Sequence, residues 1–315
     1  MHYQNRWLTT PDERKILMHQ WQPVSEAPRA LVMISHGMAE HAQRYARLAE
    51  QLCARGMLVT ALDQRGHGAT GLQDRCGHFA DQDGWSKVCS DIGLLLTASQ
   101  RLAPRCKVIL LGHSMGSYIA QGYILDNSQS IDLLILSGSN AHPPALSQVG
   151  RLAARIEGAI RGQAVPALSL NRLSFGQFNN AFKPTRTEFD WLSRDPAEVD
   201  AYIADPLCGF AVSAGLWQDL FQGLLAIARQ DNLARIRSNL PVLIIGGSAD
   251  PVSAGNGLHR LQQRLRSAGL TEVKLQLYDG ARHEVFNETN HEQVVNDLLE
   301  WLNQHLDLTL EPEHV

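Results

Sequence analysis

Short apolar runs alternate with amphipathic stretches along most of this chain. Two strand-like segments open it, around Trp7 and from Lys15 to Trp21. Then come the runs Arg29-Ala-Leu-Val-Met-Ile-Ser35, Met57-Leu-Val-Thr-Ala-Leu62, Lys107-Val-Ile-Leu-Leu111, Ile131 to Leu136, Pro241-Val-Leu-Ile-Ile245 and Glu272 to Tyr278. Runs of this length without polar alternation predict strands covered on both faces, as in parallel sheets. Between them the period lengthens to that of a helix. From His41 to Arg55, Tyr45, Leu48, Ala49 and Leu52 share one face and Gly56 ends the pattern. Helices are also predicted from about Trp85 to Leu102, directly after residue 114, from about Gly255 to Ala268 and from about Glu292 to His305.

The rhythm breaks once. Residues 140–239 show helical patterns and loops and no convincing strand. Strands alternating with helices predict an α/β protein with a doubly wound, mostly parallel sheet. The division follows: a core of residues 1–139 and 240–315, and a helical cap (lid) of residues 140–239 inserted over the sheet's carboxyl edge, where such folds bind ligands. The acidic tail after Asp307 is expected to fray.

Composition narrows the function. The chain has 315 residues, 44% of them hydrophobic and 19% charged, as in a folded protein with a sizeable core. A net charge of −4 without a long basic run argues against nucleic-acid binding, which needs clustered Lys and Arg. Cys53, Cys76, Cys89, Cys106 and Cys208 are scattered, odd in number and without a CxxC pair, which fits a reducing compartment and neither a disulfide scaffold nor a zinc site. The polar start has no signal-peptide character, and no run approaches the ~20 apolar residues of a membrane span. The expectation is a cytoplasmic protein, at most peripheral to the inner face of a membrane.

The chemistry concentrates at Gly112-His113-Ser114-Met115-Gly116. It sits where a buried strand gives way to a helix, with glycines two residues on either side of the serine. That is the geometry of a nucleophile elbow. Side chains at the glycines would collide where strand and helix nearly touch, and the strained turn holds the hydroxyl open to substrate. The Met115 N–H, in the first turn of the helix, then points at any oxyanion formed there. A serine needs a base, and the base needs a third group to orient it. Asp250, in Gly246-Gly-Ser-Ala-Asp250-Pro, and His283, in Tyr278-Asp-Gly-Ala-Arg-His283-Glu, each follow a strand and so share the rim of Ser114. Asp279 reads instead as a cap of the Gly280 turn, and His259, His291 and His305 as solvated helix residues. The turn His36-Gly37-Met38 supplies a second oxyanion donor, the Met38 N–H, while the His36 and His113 side chains read as structural. Asp63-Gln-Arg-Gly-His-Gly68 lacks both GxGxxG spacing and a helix start, and reads as a structural turn near the site.

Together, Ser35-His-Gly-Met-Ala-Glu-His-Ala-Gln-Arg-Tyr45, Asp63-Gln-Arg-Gly-His-Gly68, Gly112-His-Ser-Met-Gly116, Gly247-Ser-Ala-Asp250 and Arg282-His283-Glu resemble the monoacylglycerol lipase and lysophospholipase branch of the α/β-hydrolases. The resemblance covers roughly residues 5–139 and 240–305 and is thinner over the cap. It implies an α/β-hydrolase fold and a cofactor-independent serine hydrolase with no metal, cleaving single-chain acyl esters of glycerol or glycerophospholipids. By position it makes Ser114 the nucleophile, Asp250 the acid, His283 the base, and the Met38 and Met115 amides the oxyanion hole. Glu40 and Arg44 match charged positions of the family loop, as contacts to the alcohol head group or as braces of the loop.

In the cap, Val212, Leu216, Leu220 and Leu224 form a helical stripe widened by Trp217, Phe221 and Leu225. It reads equally as an acyl-tunnel wall, with Trp217 and Phe221 touching substrate, and as the cap's own packing face. The Arg151–Arg161 stretch mixes arginines with apolar residues and reads as a solvated amphipathic helix, with contact to an anionic lipid surface as the other reading. The expected partner is a small-molecule acyl ester. The alternatives are another serine hydrolase reaction (thioesterase, peptidase or acyltransferase) and a non-catalytic binding protein on the same fold.

Overall fold

The computed structural model describes residues 1–24, 27–253 and 255–306, so the expected fraying beyond Asp307 lies outside the described residues. Eight strands, β1 (His2–Thr9), β2 (Lys15–Gln22), β3 (Ala30–Ser35), β4 (Met57–Leu62), β5 (Lys107–His113), β6 (Leu133–Ser137), β7 (Val242–Gly247) and β8 (Val273–Tyr278), form one sheet. Its order is β1-β2-β4-β3-β5-β6-β7-β8. β2 runs against both neighbours, and the six strands from β4 to β8 are parallel. The mostly parallel, doubly wound sheet expected from the apolar runs is the one observed.

Strand alternation divides the core between the two faces of the sheet. Leu31, Met33, Leu110, Leu134, Leu136, Val242 and Ile244 point to one side, with the helices Gly84–Gln100, Met115–Asn127 and Gly257–Ser267. Val32, Ile34, Ile109, Leu111, Ile135, Leu243 and Ile245 point to the other, with Ala46–Cys53 and His291–Leu306. Burying the strands on both faces is why their sequence shows no polar alternation.

Register aligns the carboxyl ends of the central strands. Ser35 pairs with Gly112, His113 with Ser137, Ser137 with Ile245 and Gly247 with Tyr278. The loops that leave β3, β5, β7 and β8 therefore open on one edge.

Between β6 and β7 the chain forms the helices Pro144–Arg161, Leu168–Phe178, Pro196–Ala204, Ala214–Ile227 and Gln230–Leu233. In place of a strand there is one isolated bridge, Pro166 to Ser213. The helix Ala214–Ile227 is apolar because it joins the core. Leu216, Trp217, Leu220 and Leu224 are buried in the same cluster as Trp85, Tyr118 and Tyr123. Gly223 lets the helix press on Trp85, since a Cβ there would lie 2.3 Å from the indole.

Two local expectations are corrected. Asp63-Gln-Arg-Gly-His-Gly68 is followed at once by a short helix, Gly68–Gln73, with the carboxylate of Asp63 accepting from the Ala69 N–H at 2.8 Å. Local periodicity gave no sign of it, because a six-residue helix completes fewer than two turns. The Arg151–Arg161 stretch, within the helix Pro144–Arg161, inverts the usual arrangement. Ser147, Ala154 and Gly158 are buried, and Gly150 receives the Phe221 ring, while Leu146, Val149, Leu152, Ile156 and Ile160 face outward, 53–78% exposed. Close packing against the helix Ala214–Ile227 requires small residues on the inner face.

Candidate active site

Ser114 stands between β5 and the helix Met115–Asn127 with φ 51° and ψ −121°. Positive φ is strained for a residue with a Cβ, and it costs of order 1–3 kcal/mol. The strain is held from both sides. The Ser114 N–H donates to the Ser137 carbonyl at 2.9 Å, and the Ser114 carbonyl accepts from the Ser117 N–H and hydroxyl at 2.9 and 2.6 Å. The flanking glycines are forced by backbone proximity. A Cβ on Gly116 would lie 2.0 Å from the Ser35 carbonyl oxygen, and one on Gly112 2.5 Å from that of Gly116. Ser114 remains half-exposed among buried neighbours.

The loops after β7 and β8 bring Asp250 and His283 together, 33 residues apart in sequence. His283 Nδ1 lies 3.0 Å from Asp250 Oδ1 and 3.1 Å from Oδ2, with both residues buried. The Val252 N–H donates to Asp250 Oδ1 at 2.9 Å and fixes the carboxylate. Burial disfavours a charged imidazole, but the Asp250 charge and hydrogen bond outweigh it, so His283 is held above the ordinary histidine value. Gly138, at φ 55°, lets the imidazole approach, since a Cβ there would sit 2.9 Å from His283 Cε1 and 3.0 Å from His113 Cε1. The His113 and His283 rings are 4.8 Å apart, so the elbow and the imidazole meet over β6. No hydrogen bond joins the Ser114 hydroxyl to His283 here; such bonds commonly tighten only when substrate is bound.

On the other side of Ser114, the turn after β3 runs close enough that a Cβ on Gly37 would lie 3.3 Å from Ser114 Cβ. The Met38 and Met115 N–H groups donate to no described residue, which leaves both available to a ligand oxygen. A raised hydroxyl, an imidazole oriented by a carboxylate and two unused amides are the parts that acyl transfer through a serine requires.

Residues 26–290 match the family model described as Serine aminopeptidase, S33. The chain belongs to this family. It is 30% identical to the monoacylglycerol lipase of Mycolicibacterium smegmatis over 298 residues, 93% of this chain and 94% of that one. It is also 30% identical to the mouse monoglyceride lipase, over 94% of this chain and 88% of the relative. Among solved structures, a thermostable carboxyl esterase from Bacillus coagulans in complex with glycerol superposes with a TM-score of 0.89 at 25% identity, covering 97% of this chain and 99% of that one. The chain is thus a hydrolase of the α/β-hydrolase type.

In this hydrolase Glu40 spends its hydrogen bonds within the loop after β3, and Arg44 ties that loop to Glu284. Glu40 accepts from the Gly37 N–H at 2.5 Å and from the Tyr45 hydroxyl at 2.8 Å, and Arg44 donates to Glu40 at 2.8 Å. Burial opposes the Glu40 charge, but Arg44 and the neighbouring histidines hold its carboxyl down to about 2. These contacts are those of a brace. His36 is structural as expected, with Nδ1 at 2.8 Å from the Gly37 carbonyl and Nε2 accepting from the Gln64 N–H at 3.0 Å. Trp217 packs in the core, while the half-buried Phe221 stacks on it at 5.5 Å. Asp279 binds Ser248 at the surface, and the Gly280 N–H is taken by the Ser248 hydroxyl instead, so Asp279 is not the turn's cap.

Two neighbours were not foreseen. Trp191 covers His283 with ring centroids 5.1 Å apart, and its carbonyl accepts from the His283 N–H at 3.4 Å. Glu284 receives the Arg44 guanidinium through both oxygens. Glu284 follows His283 directly, but Trp191 lies 92 positions away and no local signal announces it.

Proposed function

We propose that this chain is a serine carboxylic-ester hydrolase that cleaves acyl esters of glycerol or lysophospholipid type through an acyl-enzyme. Ser114 attacks the acyl carbonyl while His283 takes its proton. Asp250 orients the imidazole and stabilises its charged form, and the Met38 and Met115 amides hold the tetrahedral oxyanion. His283 then protonates the leaving alcohol and activates water for deacylation. The reading rests chiefly on His283 Nδ1 facing both Asp250 oxygens, at 3.0 and 3.1 Å, above the same sheet edge as the strained Ser114. The substrate class draws on relatives named for monoacylglycerol and monoglyceride hydrolysis that align over nearly the whole chain. Residues 140–239 act in this reading as the cap.

The cap also suggests where substrate is gathered. The outward apolar row of Pro144–Arg161, interleaved with the exposed Arg151, Arg155 and Arg161, suits a peripheral contact with an anionic lipid surface. Among the described residues no helix is long and apolar enough to cross a membrane.

The deciding experiment compares the native protein with Ser114→Ala on monoacylglycerol, lysophospholipid, acyl-thioester and amino-acid amide substrates, beside fluorophosphonate labelling. Turnover is expected on the esters, with loss of both turnover and labelling in the variant. Undiminished ester turnover by Ser114→Ala, or amide hydrolysis exceeding ester hydrolysis, would overturn the assignment.

A further inference from the structure

Away from Ser114, the loop after β3 meets the segment that follows the helix Pro196–Ala204. The meeting is tightly made. Ala39, at φ 55°, turns its carbonyl to accept from the Tyr202 hydroxyl at 2.9 Å and the Gly209 N–H at 3.0 Å. His41, Asp205 and Cys208 converge at this clamp, with one ligand-type atom of each lying within 4.8 Å of the others. His41 Nε2 is already 2.8 Å from Asp205 Oδ2.

We propose that His41 Nε2, the Asp205 carboxylate and Cys208 Sγ form a binding site for a soft-to-borderline divalent cation of the zinc class, with water as fourth ligand. The donor set is one imidazole, one carboxylate and one thiol, the mixture such ions select and hard cations do not. Tetrahedral coordination at zinc bond lengths places donors about 3.3–3.6 Å apart, so the side chains need shifts of only about an ångström. Charge closes as well: one carboxylate and one thiolate neutralise a divalent ion beside a neutral imidazole.

The surroundings prepare the site. The Leu207 N–H donates to Asp205 Oδ1 at 2.8 Å, which orients the carboxylate and leaves Oδ2 for the ion. The Cys208 N–H donates to the Asp205 carbonyl at 3.0 Å, closing the turn that sets both side chains on one side. His41 is buried, whereas Asp205 and Cys208 are half-exposed, so an ion has a way in. Arg44, the cation whose charge reaches Cys208, is already matched by Glu40 and Glu284. Binding replaces the His41–Asp205 hydrogen bond, leaves the imidazole proton on Nδ1, and releases the thiol proton to solvent as the sulfur–metal bond forms. The bound ion ties the Met38 loop to the segment around Asp205, and this holds whichever ester the protein cleaves.

Cobalt(II) and zinc titrations of the purified protein test this. Cobalt is expected to give a near-ultraviolet thiolate-to-metal band that equimolar zinc bleaches, at about one ion per chain, and zinc is expected to raise Tm. Cys208→Ser should remove the band and the zinc-dependent rise in Tm. Asp205→Asn should weaken cobalt binding at least about tenfold, and Cys76→Ser, which alters the exposed cysteine, should change neither. A native protein without the band, or a band that survives Cys208→Ser, would overturn the proposal. The readouts are spectroscopic and thermal, so they stand apart from the assignment of Ser114.

Discussion

Arg44 grips Glu284 through both oxygens, at 2.6 and 2.7 Å, and thereby joins the turn that carries Met38 to the residue beside His283. The same guanidinium holds Glu40, which in turn holds the Gly37 N–H. One planar cation thus spaces the Met38 turn from the loop that carries His283. The fork matters as much as the charge. Arg44→Lys is expected to lower kcat about 10- to 100-fold while KM moves less, since small displacements of positioned groups carry that cost. Arg44→Met leaves two buried carboxylates unmatched and is expected to cost about 3–5 kcal/mol of stability, measured by urea unfolding. A Lys variant with native kcat would remove the positioning role.

In the proposed mechanism, protonation of His283 is expected to set the acid limb of activity. Burial lowers its proton affinity, but Asp250 more than offsets this and the net shift is upward. Protonated imidazole accepts no proton from Ser114, so kcat/KM falls as pH drops through a value above the ordinary 6.5. Stability runs the other way. The pair's contribution is full below the unfolded value and is lost as pH rises through the raised folded value. Asp250→Asn is expected to move the acid limb of kcat/KM to lower pH and to cut kcat by about 10⁴. A limb that stays in place in this variant would refute the coupling.

Asp219 offers a test of packing rather than catalysis. It lies on the helix Ala214–Ile227 and is pressed against the start of Gly84–Gln100, where a Cβ on Gly84 would lie 2.0 Å from its Oδ2. Burial raises its carboxyl to about 6, although the Trp85 and Gly84 amides pull the other way. The folded state then holds a proton that the unfolded state has released above 3.8. Stability from this group therefore falls as pH rises from about 4 to 6 and stays lost above that. Asp219→Asn should flatten this part of the curve and stabilise the protein at pH 8 by about 1–2 kcal/mol. Parallel urea curves at pH 5 and pH 8 decide it, and an unchanged pH dependence would reject the assignment.

The outward apolar row makes a separate forecast. Each large apolar side chain buried in a lipid surface contributes up to about 1.5–3 kcal/mol. Replacing Leu152 and Ile156 together by Ser should weaken cosedimentation with anionic vesicles at least about tenfold while leaving hydrolysis of a short soluble ester unchanged. Equal sedimentation of both proteins would mean that the row does not meet lipid.

Much of this was readable in the chain. The continuous apolar runs marked the parallel strands, because residues buried on both faces cannot alternate with polar ones. Ser114, Asp250 and His283 each follow the end of a strand, a position that follows from order along the chain. The inverted helix Pro144–Arg161 was not readable. Its residues carry both an apolar row and a small-residue row, and only the partner helix Ala214–Ile227 decides which row is buried. The helical periodicity of Leu216, Leu220 and Leu224 likewise could not tell a pocket wall from packing on Trp85.

Local pattern and chain order therefore determined the strand set, the serine turn and the candidate acid and base, since these depend on neighbours a few residues apart. Tertiary structure alone decided that Trp191 covers His283, that Arg44 bridges to Glu284, and that His41, Asp205 and Cys208 share one corner. These contacts join positions tens to hundreds of residues apart. Their geometry comes from strand register and helix packing, which act on the whole chain at once and leave no local signature.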